Sequence, residues 1–318
     1  MAERAIRQEG IEERTAVAVG SHRLARARRL SNYLFLLPAL IYISVTMLYP
    51  LVYNLRMSFQ DVTVRTFLAD NAQWIGFDNY RTLLNDSDFR HAIWLSVIFT
   101  AGSLVFQFAI GFALALYFNR PFPGNGLFRA LLLLAWMLPT VVSGSVFRWM
   151  FDGDFGVLNY ALRELSLIDK NRYWLLDPDT ALAGTILANI WVGIPFNMVL
   201  LLAGLQNIPT TLYEAASVDG ANAWQRFWSL TLPLMRPVSL SVLLLGIIYT
   251  FKVFDLIYVM TGGGPVDATT VLPIETYNLS FKFFRFGEGA AAATMLLVAL
   301  IGVALAYLFW TRREEVAA

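Results

Sequence analysis

The chain has 318 residues, of which 57% are hydrophobic and 15% charged, with a formal net charge of +1. A soluble domain carries about 25% charged residues, so this chain has too little polar surface to face water alone. Its near-neutral charge gives no footing for nucleic acid, and the absence of cysteine excludes disulfides, thiolate metal sites and cysteine catalysis.

In chain order, residues 1–30 are charged, with seven arginines and four glutamates. They read either as a basic helix on the inner leaflet or as a topogenic tail. Six apolar stretches follow, at 31–57, 92–118, 127–150, 181–204, 237–260 and 288–310. A bilayer core about 30 Å thick needs roughly 20 apolar helical residues, and each stretch exceeds that. Together they hold only Arg56, Arg129, Arg148, Lys252, Asp255 and Glu288 as charges. The fold class is therefore all-α integral membrane, with six transmembrane helices. The first stretch is too long for the apolar region of a cleaved signal and is read as a retained span.

Six spans place both termini on one side. With both ends inside, the inner segments carry 12 Lys or Arg in 78 residues and the outer ones 8 in 91. Arg23, Arg26, Arg28 and Arg29 crowd against the first span. The positive-inside rule then puts both ends in the cytoplasm. Pro38, Pro50, Pro139 and Pro195 are predicted to bend spans 1, 3 and 4. Gly287, Gly289 and the alanines 290–293 open span 6 with side chains small enough for close helix packing.

The inner segment 205–236 is more than a connector. Thr210 or Thr211 suits a helix N-cap, Glu214 stands at capping-box distance from Thr211, and Gly220 ends the helix. A second helix over about 221–230 carries Trp224, Phe227 and Trp228, before Pro233 and Pro237 restart the chain as span 5.

Within that loop, Glu214-Ala215-Ala216, then Gly220, then Leu230 and Leu232-Pro233 are similar to the EAA motif of the membrane subunits of bacterial ABC importers. Ile75-Gly76-Phe77-Asp78-Asn79-Tyr80, Trp174-Leu175-Leu176-Asp177-Pro178, Ala203-Gly204-Leu205-Gln206 and Phe254-Asp255 resemble further landmarks of the sugar-permease, maltose-permease-like branch. The resemblance covers about residues 31–310. It implies the type I ABC importer permease fold in a bacterial inner membrane, for a sugar, glycoside or polyol. It implies that the loop is a cytoplasmic coupling helix, with Glu214, Ala215, Ala216, Asp219, Gly220, Leu232 and Pro233 docking on an ATPase. The implied partners are a second permease, two ATP-binding subunits and an extracytoplasmic solute-binding protein that meets Gly262, Gly263, Gly264 and Pro265.

The sequence has no GxxxxGK[ST] phosphate loop, so ATP and Mg belong to partners and this chain is expected to hold no cofactor or metal. Catalytic residues are not expected. Trp136 and Thr140 flank Pro139, while Val192, Gly193 and Phe196 lie around Pro195. Gly246, Tyr249, Thr250 and Val253 share a helical face. The resemblance implies that these line a midplane cavity; the alternative is ordinary packing. Lys252 either pairs with Asp255 three residues on or reaches substrate, and the glycine run 262–264 reads as a hinge. Two other functions fit a six-span chain. One is an ion-coupled transporter, although no internal repeat or membrane carboxylate cluster supports it. The other is a scaffold or receptor that does not transport.

Overall fold

The computed structural model describes residues 35–69 and 71–317. Segment 1–30 and the first four residues of the first predicted span lie outside the described residues. The chain divides into two compact units, 1–56 and 57–318. The first is described from Phe35 as helix α1 (Phe35–Met57), whose last residue opens the second unit. Neither Pro38 nor Pro50 breaks α1. Instead Ser44–Leu48 widens into a π turn closed by the Tyr49 N–H on the Ser44 carbonyl. A wider turn next to a proline absorbs its missing donor.

The second unit is helical, with one isolated antiparallel bridge between Gln60 and Trp74 among the described residues. In order come α2 (Val64–Leu68), α3 (Asp78–Asn85), α4 (Ser87–Phe118), α5 (Asn125–Met137), α6 (Thr140–Met150), α7 (Val157–Glu164) and α8 (Pro178–Gln206). Then come α9 (Thr210–Val218), α10 (Ala223–Leu234), α11 (Arg236–Phe251), α12 (Asp255–Met260), α13 (Leu272–Tyr277) and α14 (Phe286–Ala317). By length and composition α1, α4, α8 and α14 can each cross a membrane. Two bent pairs, α5 with α6 at 93° and α10 with α11 at 64°, raise the number to as many as six.

Two predicted spans are redrawn. The third is two helices, because Leu138 and Pro139 take extended backbone between α5 and α6. The fifth is also two, with 252–254 separating α11 from α12. The fourth stays one helix through Pro195. Its start is set by Asp177, whose carboxylate accepts the Asp179 N–H at 3.0 Å, with Pro178 in the first turn.

The frame is the seam between the two long helices α4 and α8. Fully buried Ala115 packs against Met198, Leu201 and Leu202 of α8 and keeps the seam narrow. At Gly111, an added β-carbon would stand 2.7 Å from the Asn197 β-carbon. Gln107 crosses the seam and donates from Nε2 to the Asn189 carbonyl at 2.7 Å. Small residues allow this approach, and a polar bond across it is the usual adhesive of membrane helices. The small-residue start of α14 packs as expected: Ala291 and Ala292 are fully buried beside Leu83, Phe89, Leu272 and Leu279. Asn79, of the Gly-Phe-Asp-Asn-Tyr stretch, is a structural staple. Its Nδ2 donates to the Ser58 and Gln60 carbonyls at 2.9 and 3.0 Å.

Gly111→Val forces α4 and α8 apart, an overpacking worth about 1–3 kcal/mol. A lower thermal midpoint and less monodisperse protein in detergent are expected; an unchanged midpoint would show that the seam is not close-packed there.

Candidate functional site

Three predicted pathway residues from three helices form one aromatic chain. Trp136 at the end of α5 meets Phe196 of α8 with centroids 5.7 Å apart, and Phe196 meets Tyr249 of α11 edge-on at 5.5 Å. Such pairs contribute about 0.5–1.5 kcal/mol beyond their burial. Trp136 and Tyr249 are each about half exposed, at 49% and 52%, so the chain offers ring faces to an open side. The residues stand at similar depths. From the Asn125, Gln206 and Arg236 ends of their helices, at a rise of 1.5 Å per residue, Trp136, Phe196 and Tyr249 lie about 15–20 Å along, about half the thickness of a bilayer core of about 30 Å.

Lys252 ends this chain. Its Nζ lies 5.1 Å from the Tyr249 ring centroid, a cation–π contact. The predicted Lys252–Asp255 pair does not form. The helix breaks between the two residues, so they no longer share a face, and the Asp255 carboxylate instead accepts from Thr140 Oγ1 at 3.3 Å. That bond belongs to a brace the sequence reading missed. Thr140, Gly144 and Arg148 recur every four residues along one face of α6 and meet α12. A β-carbon on Gly144 would lie 3.2 Å from the Leu256 carbonyl, and Arg148 donates to the Val259 carbonyl at 3.3 Å. The i, i+4, i+8 spacing was the available signal.

Other predicted pathway residues are packing positions. Gly193 is pressed against Gln107 and Gly246 against Leu104, in each case closely enough that a side chain would overlap. Thr250 is buried at 4% exposure. Val253 fills the space between two core clusters. Val192 is half-buried.

The inner loop is a helix displayed on a fixed base. On α9, Glu214, Ala215, Asp219 and Gly220 are exposed and Ala216 is half-buried. The N-cap is Pro209, with no side-chain bond, so the predicted Thr211–Glu214 capping box is absent. A capping box does occur at the second helix, where the Gln225 N–H meets Asn222 at 2.9 Å and the Asn222 N–H meets Gln225 at 2.8 Å. Gly220 takes φ +80°, and the Ala221 N–H closes on the Ala216 carbonyl at 2.9 Å, the left-handed helix end that glycine favours. Arg226 donates to Ser217 Oγ at 2.8 Å, and the Tyr213 and Thr231 hydroxyls meet at 3.0 Å. Phe227 meets Phe112 of α4 edge-on. Leu232 is half-buried and Pro233 exposed. The fully buried Met235, between α10 and α11, shares a core with Leu201, Leu202 and Leu205 of α8. The same core includes Val242 of α11, the helix that carries Tyr249.

The glycine run is a pinned loop, not a hinge. Thr269 Oγ1 donates to the Gly264 carbonyl at 2.8 Å and Thr270 Oγ1 to the Gly263 carbonyl at 2.9 Å. Gly263 is buried with φ +99°. The tip is Val266, 89% exposed. Gly262, Gly264 and Pro265 border a hollow of about 560 Å³ together with Arg148, Asp154 and Tyr173. The Tyr173 hydroxyl donates to Asp154 at 2.8 Å, and that bond, with the carboxylate's charge, raises the phenol's pKa above its ordinary value. Among the described residues no three His, Cys, Asp or Glu side chains gather to hold a metal.

With this geometry, residues 107–312 match the family model "Binding-protein-dependent transport system inner membrane component". The trehalose/maltose transport system permease MalF of Thermococcus litoralis is 35% identical over 278 residues, covering 87% of this chain and 92% of that protein. The sulfoquinovosyl glycerol transport system permease SmoG of Agrobacterium fabrum is 35% identical over 310 residues, covering 95% of this chain and 99% of that one. A solved bacterial ABC transporter involved in import of the acidic polysaccharide alginate superposes with a TM-score of 0.78 at 26% identity, over 90% of this chain and 96% of its own. The fold is that of a type I ABC importer permease. The chain belongs to the binding-protein-dependent transport inner membrane component family.

Gly263→Ala places a β-carbon 2.6 Å from Thr270 Oγ1 at a left-handed backbone position, where an L-residue costs about 1–2 kcal/mol. Faster protease cleavage within 261–270 is expected; unchanged cleavage would mean that the loop is not pinned.

Proposed function

We propose that this chain forms half of the translocation pathway of an ATP-driven carbohydrate importer. It works with a second permease, two ATP-binding subunits and an extracytoplasmic solute-binding protein. The observation that carries the reading is the half-exposed chain Trp136–Phe196–Tyr249 at mid-depth. Aromatic faces suit the C–H faces of sugar rings, and a few polar groups beside them fix orientation; Thr140, Asp255 and Lys252 supply these. The trehalose/maltose, sulfoquinovosyl glycerol and alginate systems among its relatives support a carbohydrate cargo.

Both termini are cytoplasmic in this reading, which puts α9 on the ATPase side. ATP and Mg are held by the partner subunits, and this chain performs no bond chemistry. ATP binding closes the ATPase pair and draws α9 inward at Glu214–Gly220. The base at Phe227 and Met235 carries that motion to α11, turning the aromatic chain outward; hydrolysis resets it. The solute-binding protein delivers cargo at the outer loop, where Val266 and Asp267 extend the contact expected at 262–265.

Two variants separate the two ends of the device. In the complete importer, Trp136→Ala lowers uptake by about tenfold or more, as for an anchor residue, while ATP hydrolysis still responds to the loaded binding protein. Glu214→Lys abolishes that response without lowering the thermal midpoint of this chain, because Glu214 is exposed. Normal uptake by Trp136→Ala would refute the pathway, and normal stimulation in Glu214→Lys would refute the coupling role.

A further inference from the structure

We propose that Lys252 reads an acidic group on the imported carbohydrate, so that the cargo class is an anionic glycoside. This rests on the pathway reading above.

An ammonium at membrane depth is costly and is normally matched by a carboxylate or by carbonyls. Arg148 follows that rule through the Val259 carbonyl. Lys252 does not: among the described residues no carboxylate lies within ion-pair distance of it. Its sequence neighbour Asp255 is turned to Thr140, 115 residues away in the chain. The partner Lys252 has is the face of Tyr249. A ring face contacts a cation electrostatically and takes up none of the three N–H donors in strong bonds. The side chain is exposed and stands at one end of the aromatic chain.

The geometry is that of a two-part reader. Rings from three helices receive the apolar face of a sugar. At one end an ammonium with open donors meets a negative group. Lysine suits this task, since a compact ammonium with three rotatable donors can meet a carboxylate, a phosphate or a sulfonate.

The test uses cells carrying the intact importer with its own binding protein, in the wild type and in Lys252→Gln, Lys252→Arg and Trp136→Ala. The probes are labelled glycosides differing only at C6: methyl glucoside, its uronate and its 6-sulfonate, with a matching disaccharide set. The wild type is expected to import an anionic member. Lys252→Gln should reduce that import about tenfold or more, the contribution of a hydrogen bond to a charged group, and Lys252→Arg should retain most of it. Slow entry of the neutral member should be unaffected by either, and the partner subunits should still co-purify with Lys252→Gln.

Import of no anionic member by the wild type overturns the proposal, as does anionic import by Lys252→Gln that matches the wild type. Equal loss of neutral and anionic import, or loss of co-purification, assigns Lys252 to subunit pairing and also overturns it. Normal import by Trp136→Ala defeats the pathway itself. Loss there with Lys252→Gln intact defeats only the charge reader.

Discussion

A peptide group in hydrocarbon must find its hydrogen bond within the protein, and the site follows from where this chain breaks its helices. Helical bonding stops at Leu138–Pro139 and again at 252–254. The segments beyond the two breaks, α6 and α12, lie side by side. Thr140 reaches Asp255 and Arg148 reaches the Val259 carbonyl, so side chains of α6 tie the two segments together. The 93° bend between α5 and α6 turns the end of α5 toward α8 and α11, which brings Trp136 to Phe196 and Phe196 to Tyr249.

A broken helix can hold such a geometry only against a frame that does not yield. The α4–α8 seam supplies it: Gly111 admits the Asn197 backbone, and the Gln107–Asn189 bond crosses at its centre. Buried hydrogen bonds of this kind contribute about 1 kcal/mol each, less than the close packing around them. Phe112, Leu201, Leu205, Met235 and Val242 share a core with Phe227, which ties α10 to α4, α8 and α11. α9 joins α10 through the Arg226–Ser217 and Tyr213–Thr231 hydrogen bonds.

Much of this was legible in the residues. Twenty-odd apolar residues with almost no charge identify spans because the membrane leaves few other solutions. The Glu-Ala-Ala…Gly spacing identified α9 because a glycine is needed at φ +80°. What remained hidden depended on tertiary choices. Pro139 breaks its span while Pro195 does not, since a missing N–H only permits a break and neighbours decide it. The gap at 252–254 contains neither glycine nor proline, so nothing local announced it, and the Lys252–Asp255 pair expected from helical spacing was lost with the helix. Thr210 or Thr211 looked like a cap, but the N-cap is Pro209 and both threonines lie in the first turn. The glycines 262–264 suggested freedom, yet Thr269 and Thr270 bind their carbonyls.

The central claim is that Tyr249, on a helix of apolar residues, faces a water-accessible path that opens and closes with the nucleotide cycle. The chain contains no cysteine, so a single Tyr249→Cys substitution gives one labelling site in this subunit. In membranes holding the complete importer, a charged thiol reagent should modify Cys at 249 at a rate that differs between nucleotide-free and ATP-trapped states, and bound substrate should slow it. A residue unreactive in every state, or reactive at one rate whatever the nucleotide, would contradict the account.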